Sequence, residues 1–188
     1  MQVVLLRPDD TLVAIAQVVG HPGSEITGPT FSPDGQRLIA LAADRRSTLQ
    51  LWDTATWTQG ERFQLPYLIP RRALDWSPDS ARVYDAGEKG GQMVIFSLDV
   101  RDGTVTEYPQ ITADEHLQAL AVSPDEQLIA LADDAGAVRL LDLATGAARW
   151  VLAGPAEIDD LAWSPDGTRL AVLTYHRTVQ VWDLAAAP

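Results

Sequence analysis

The 188-residue chain has no cysteine, only 3 histidines and no apolar run approaching the ~18 residues needed to cross a bilayer. Without cysteine there is no disulfide framework, no thiol nucleophile and no thiolate metal site, and a cytoplasmic location is the default expectation. Basic residues are scarce as well. There are 14 Lys and Arg against 26 Asp and Glu, a formal net charge of −12, and no basic run exceeds the pairs Arg45-Arg46 and Arg71-Arg72. Charge of that sign repels phosphate backbones and anionic headgroups, so neither nucleic acid nor membrane is an expected partner. His21, His116 and His176 lie 95 and 60 residues apart, which offers no paired-histidine spacing for a metal, and no cofactor is expected. The first residues place Arg7 after the apolar stretch and just before Asp9, unlike a secretory signal.

What is present is repetition on a core-forming composition of 46% hydrophobic residues. The tripeptide Ser-Pro-Asp occurs as Ser32-Pro33-Asp34, Ser77-Pro78-Asp79, Ser123-Pro124-Asp125 and Ser164-Pro165-Asp166, at intervals of 45, 46 and 41 residues. Proline presets φ for a tight turn, aspartate caps the neighbouring backbone, and the fourth position favours positive φ, so each copy predicts a hairpin turn. Short apolar segments flank each turn, such as Leu117–Val122 before and Gln127–Ala132 after the third, and predict paired strands. The third strand of each repeat ends in Leu49–Asp53, Met93–Asp99, Val138–Asp142 and Val179–Asp183, where Gln50, Arg139 and Gln180 alternate with apolar neighbours as in a half-exposed strand. A fourth is predicted at Gln59–Leu65, Val105–Tyr108 and Ala147–Leu152. The fold class expected is all-β, in antiparallel four-stranded units of about 43 residues.

Together with the Trp52-Asp53 and Trp182-Asp183 dipeptides and Gly20-His21, these turns resemble the WD40-repeat family of β-propellers. The resemblance implies a single propeller unit over 1–188, with closing strands in 1–19 and blades at 20–65, 66–109, 110–153 and 154–184, the last lacking its outer strand. It also implies structural roles for Trp52, Asp53, Trp76, Trp163, Trp182 and Asp183. The polar tetrad common in the family is sparse here. Only the first repeat offers His21, Trp52 and Asp44 for it, whereas Leu141-Asp142 and Leu98-Asp99 replace Trp-Asp in the third and second. Apolar packing between sheets must carry the rest.

Residues 5–17 align with 140–152 as a third-to-fourth-strand hairpin, so that 11–19 could supply the outer strand missing beside 178–183. A second alignment makes 6–16 a first-to-second-strand hairpin. Four blades are few for the family, and three forms stay open: a homodimer completing an eight-bladed ring, a four-bladed monomer, and part of a longer chain.

The resemblance implies a non-enzymatic scaffold for a protein or peptide partner. The loops that receive partners in the family hold His21, Arg45, Arg46, Tyr67, Arg71, Arg72, Tyr175, His176 and Arg177, with Glu88, Lys89 and His116 beside them. Arg and Tyr are the side chains enriched at interface anchors. Trp57, in a connection outside the repeated strand positions, is expected to be exposed. The alternative is an enzyme, small-ligand or metal binder using the central channel, for which Asp75, Asp159 and Asp160 are the candidate carboxylates. Gly87–Gly91 lacks phosphate-loop spacing and reads as a hairpin loop.

Overall fold

Each Ser-Pro-Asp turn folds through its own side chains. In all four, the Ser Oγ donates to the Asp Oδ1 at 2.5 to 2.6 Å, and that carboxylate accepts the N–H two residues on, from Gln36, Ala81, Gln127 and Thr168. The Ser Oγ also accepts the N–H of Arg37, Arg82, Leu128 or Arg169 as the next strand begins. Gly35 and Gly167 take φ of 70° at the fourth position, and Ser80 and Glu126 take 59° and 55° at the same place. The turn is thus encoded within six residues, and it sets the register of the hairpin around it.

The computed structural model describes residues 2–6, 12–17, 25–43, 47–69, 73–113, 117–153 and 157–185, and every regular element among them is a β-strand. None of the described residues forms a helix long and apolar enough to cross a membrane. The chain divides into two compact units, Met1–Leu68 and Ile69–Pro188.

In the first unit, β1 (Gln2–Leu6) pairs with β2 (Leu12–Gln17) as a two-stranded sheet. A four-stranded blade follows: β3 (Glu25–Phe31), β4 (Arg37–Ala43), β5 (Thr48–Asp53) and β6 (Gln59–Gln64). β5 is buried from Thr48 to Trp52 on both faces, so Gln50 is 7% exposed and not half-exposed as its alternation suggested. Its amide is satisfied by donating to the carbonyls of Leu51, Gly60 and Glu61. Trp57 also departs from expectation. It is half-buried, edge-on to Phe31 at 6.4 Å, and it packs on Leu38, Ala40 and Trp52.

The second unit holds three blades. β7 (Asp75–Trp76), β8 (Arg82–Lys89), β9 (Gln92–Asp99) and β10 (Val105–Ala113) form the first, and β11 (Leu117–Val122), β12 (Leu128–Asp133), β13 (Ala137–Asp142) and β14 (Ala148–Ala153) the second. The last has three strands, β15 (Ile158–Trp163), β16 (Arg169–Thr174) and β17 (Val179–Asp183). β7 is only two residues long, whereas β10 runs past a bulge to residue 113, beyond the Val105–Tyr108 expected. Residues 12–17 pair with β1, and residues 179–183 pair with β16.

Blades in this unit stack by one repeated face. Ala73, Tyr84, Ala86 and Ile95 of the β7–β10 blade bury against Leu120, Val122, Ile129 and Leu131 of the next. Ala119, Ala121, Ala130, Ala132, Val138 and Leu140 on that blade's other face then bury against Ile158, Leu161, Leu170 and Val172. Side-chain and main-chain bonds add to the apolar contact. The Val122 N–H donates to Asp75 Oδ2 at 2.8 Å, and Trp163 Nε1 donates to the Ala121 carbonyl at 3.2 Å. Arg82 and Tyr84 both reach Glu126, at 2.6 and 3.0 Å.

Candidate functional site

Among the described residues, the turn between β16 and β17 presents the most outward-facing of the expected contact residues. Tyr175 is 63% exposed, and His176 and Arg177 are exposed beside it. Their backbone is held from below. Tyr175 N–H donates to the Glu157 carbonyl at 3.0 Å, Arg177 N–H donates to the Thr174 carbonyl at 2.9 Å, and Arg177 takes a φ of 60° that closes the turn. His176 Nε2 lies 3.4 Å from Glu157 Oε2, so the imidazole leans over the strand-entry loop. An aromatic ring, an imidazole and a guanidinium therefore stand together on a rigid two-point backbone anchor.

The other expected contacts are distributed differently. Tyr67 is only 3% exposed, so its ring belongs to packing and not to an outward surface. His21, Arg45, Arg46, Arg71, Arg72 and His116 lie outside the described residues. Lys89, on the β8–β9 turn, is paired with Glu107 at 2.6 Å. Of the structural set, Trp52 and Trp76 are buried at 4% and 5%, while Trp163 and Trp182 are half-buried against the core between the last two blades. Asp53 is exposed and accepts the N–H groups of Ala55 and Thr56 and the Thr56 hydroxyl, which holds its carboxyl below the ordinary range. Asp183 receives the Ala185 N–H at 3.1 Å and Arg169 Nε at 3.7 Å.

The candidate channel carboxylates are occupied with structure. Asp75 is half-buried and accepts both Val122 and Trp76 N–H; burial pushes it up to about 6, against the pull of those bonds and with Asp160 adding to the rise. Asp160 is raised by desolvation and accepts the Leu161 N–H. Among the described residues no three His, Asp or Glu side chains gather into a group that could hold a metal ion.

A carboxylate that the sequence reading passed over is Asp85. It is 1% exposed in β8, where burial pushes it up to about 8 while the Ala86 and Ala73 N–H groups pull the other way. Counting eight residues from each turn serine gives Ala40, Asp85, Leu131 and Val172, and the other three are fully buried apolar side chains. That substitution within the repeat was the available signal.

Comparison with known proteins agrees with this architecture. The family model described as "WD domain, G-beta repeat" matches residues 12–53 and 146–183. Actin-interacting protein 1 of Drosophila melanogaster is 25% identical over 91% of this chain and 35% of its own length. WD repeat-containing protein 1 of Gallus gallus is 22% identical over 92% of the chain and 36% of its own, and WD repeat-containing protein VIP3 of Arabidopsis thaliana is 29% identical over 48% and 31%. The chain thus spans about a third of the length of these curated relatives. Turns bonded alike in four repeats, antiparallel blades stacked by a repeated face, and similarity to WD-repeat proteins along nearly the whole sequence lead to one assignment: the chain is built of WD40-like repeats folded as β-propeller blades.

Proposed function

We propose that this chain is a non-enzymatic protein-interaction scaffold that receives a protein or peptide on the loop surface around Tyr175, His176 and Arg177. The observation that carries this reading is the exposure of those three side chains on a backbone held by Glu157 and Thr174. A ring and a guanidinium fixed in place lose little entropy on binding, which is why such residues dominate interface energetics. On a protein of net charge −12, a local Arg and His patch favours an acidic, aromatic-containing segment. Asp75 and Asp160, bonded to backbone N–H groups, support a binding role over channel chemistry.

Screening a panel of acidic, aromatic-containing peptides by fluorescence anisotropy tests the reading. Tyr175→Ala and Arg177→Glu should each weaken the best peptide at least about tenfold, with the Arg177 effect shrinking as salt rises. Equal binding by both variants removes this loop as the contact surface. Head-to-tail association of two chains into an eight-bladed ring is the assembly proposed for the scaffold, and light scattering near twice 20.4 kDa is its expected result.

A further inference from the structure

The β11–β14 blade has all four of its strands, and both blades that flank it belong to the second unit. Its outer strands are still uncovered on one face. Trp150 and Leu152 of β14 pack into the core shared with the β15–β17 blade, as do Val138 and Leu140 of β13. Side chains alternate along a strand, so Arg139 and Val151 point to the opposite face, toward the β7–β10 blade. They are direct partners across the two strands, which brings their Cβ atoms within about 5.5 Å.

The core between these two blades takes in Leu141 and Leu143 but no residue of β14. The outer strand β10 bulges between Glu107 and Thr112, and the Gln110 amide donates to the carbonyls of Leu143 and Ala144 in the turn that precedes β14. Farther along β14, Val151 is 66% exposed, the highest value of any large apolar side chain among the described residues. Beside it the half-buried Arg139 guanidinium makes no hydrogen bond or ion pair among the described residues, whereas Arg82, Arg101, Arg149 and Arg169 each meet a carboxylate. Strand pairing makes Gln50 and Phe96 its equivalents, and both are buried, the Gln50 amide on three main-chain carbonyls. On a protein of net charge −12, a guanidinium partly withdrawn from water and left without an anion is a standing site for one.

We propose that Arg139 and Val151 form a docking site for an extended acidic segment of a partner protein, whose Glu or Asp carboxylate meets Arg139 while an aliphatic side chain two residues away covers Val151. Residues two apart on one face of an extended chain are about 7 Å apart, which suits the long arginine stem beside the short valine. The fork of guanidinium N–H donors fixes the carboxylate, and the apolar contact selects its neighbour. None of the residues around Tyr175 takes part, so this surface goes beyond the loop reading.

The probe is the peptide acetyl-Ser-Glu-Thr-Val-Ser-amide, titrated into the isotope-labelled chain and followed by its amide NMR signals. Saturable shifts confined to residues 137–142 and 148–153 are expected, with about tenfold weaker binding when glutamine replaces the peptide's glutamate. Arg139→Gln installs the residue type that the repeat already carries at Gln50 and Gln180, so the strand accepts it. It should weaken the glutamate peptide about tenfold and erase the difference between the two peptides. Val151→Ser, at an exposed side chain, should weaken binding about threefold to fivefold and serves if the arginine variant misfolds. Both should leave far-UV circular dichroism unchanged. No saturable shifts, shifts outside these two segments, or equal affinity in wild type and Arg139→Gln overturns the proposal. Arg177→Glu should leave this affinity within about twofold; loss of binding there with Arg139→Gln unaffected overturns it in favour of the loop surface.

Discussion

Single carboxyl groups in this protein work in two opposite directions, and the pH dependence of stability should show both. Asp99 and Asp166 are held down to about 2, Asp99 chiefly by Arg101 and Asp166 chiefly by Ser164, and Asp79, Asp125 and Asp142 are lowered by similar local bonds. A depressed carboxyl stabilises the fold above its unfolded value near 4, and that contribution disappears as pH falls toward 2. Asp85 and Asp75 are raised, to about 8 and about 6, so they favour the fold while protonated. Their contribution is complete below about pH 4 and is lost as pH rises to the folded values. Stability should therefore peak near pH 4 to 5 and fall toward pH 8. Asp85→Asn keeps an acceptor for the Ala73 and Ala86 N–H groups but cannot ionise, so denaturant midpoints should lose most of the decline between pH 5 and 8. An unchanged decline would place its origin elsewhere. At the next turn, Glu126 stays at positive φ while its carboxylate joins Arg82 and Tyr84 of the neighbouring blade. A double-mutant cycle of Arg82→Ala with Glu126→Ala should give a coupling of about 0.5–1 kcal/mol, as for a partly exposed pair. A value near zero means that the strained backbone is retained for another reason.

At the scale of the element, close approach and burial decide which repeated positions tolerate change. A Cβ on Gly146 would fall 2.0 Å from the Gln110 carbonyl oxygen, at a φ of 72°, where Gln110 also donates to the Leu143 and Ala144 carbonyls. Gly91 has φ of 83° but open space around it. Gly146→Ala should cost several times the ~1 kcal/mol expected for Gly91→Ala, measured as the shift in urea midpoint. Equal shifts would mean that β10 and the β13–β14 turn separate easily. The tryptophans divide by burial. Trp76→Ala should cost about 3–5 kcal/mol, and Trp57→Ala, half-buried on Phe31 and Leu38, about 1–2 kcal/mol. The strand order within each repeat was legible because Ser-Pro-Asp, alternating residues and a terminal Asp recur in step. Trp57 was misread as exposed because, besides Trp52 nearby in the chain, its contacts are Phe31 of β3 and Leu38 and Ala40 of β4, which the local sequence does not show.

For the whole molecule, the net charge of −12 and an isoelectric point near 4.4 place the pH of greatest conformational stability close to that of least solubility. Thermal scans at pH 4.5 should show a higher midpoint but more light scattering than scans at pH 8, and added salt should reduce the difference in scattering little. Clear solutions at millimolar protein and pH 4.5 would show that the exposed valines of β17 are covered in solution. Repetition also explains the open blade. A face that buries Ala130, Ala132, Val138 and Leu140 in one repeat becomes Ala171, Leu173, Val179 and Val181 in the next, still apolar, with both valines exposed.

The amino-acid sequence by itself determined the all-β class, the repeat length, the turn positions and the family resemblance, because each is set by residues within about six positions of one another or by strict recurrence. Only the tertiary structure decided which of these equivalent positions differ in consequence. It buried Asp85 where its counterparts are Leu131 and Val172, covered Tyr67, joined β1 to β2, and left Tyr175 and the β17 edge exposed. Those outcomes depend on what lies across the neighbouring sheet, and a repeat that specifies its own hairpin so locally carries no record of which neighbour it will meet.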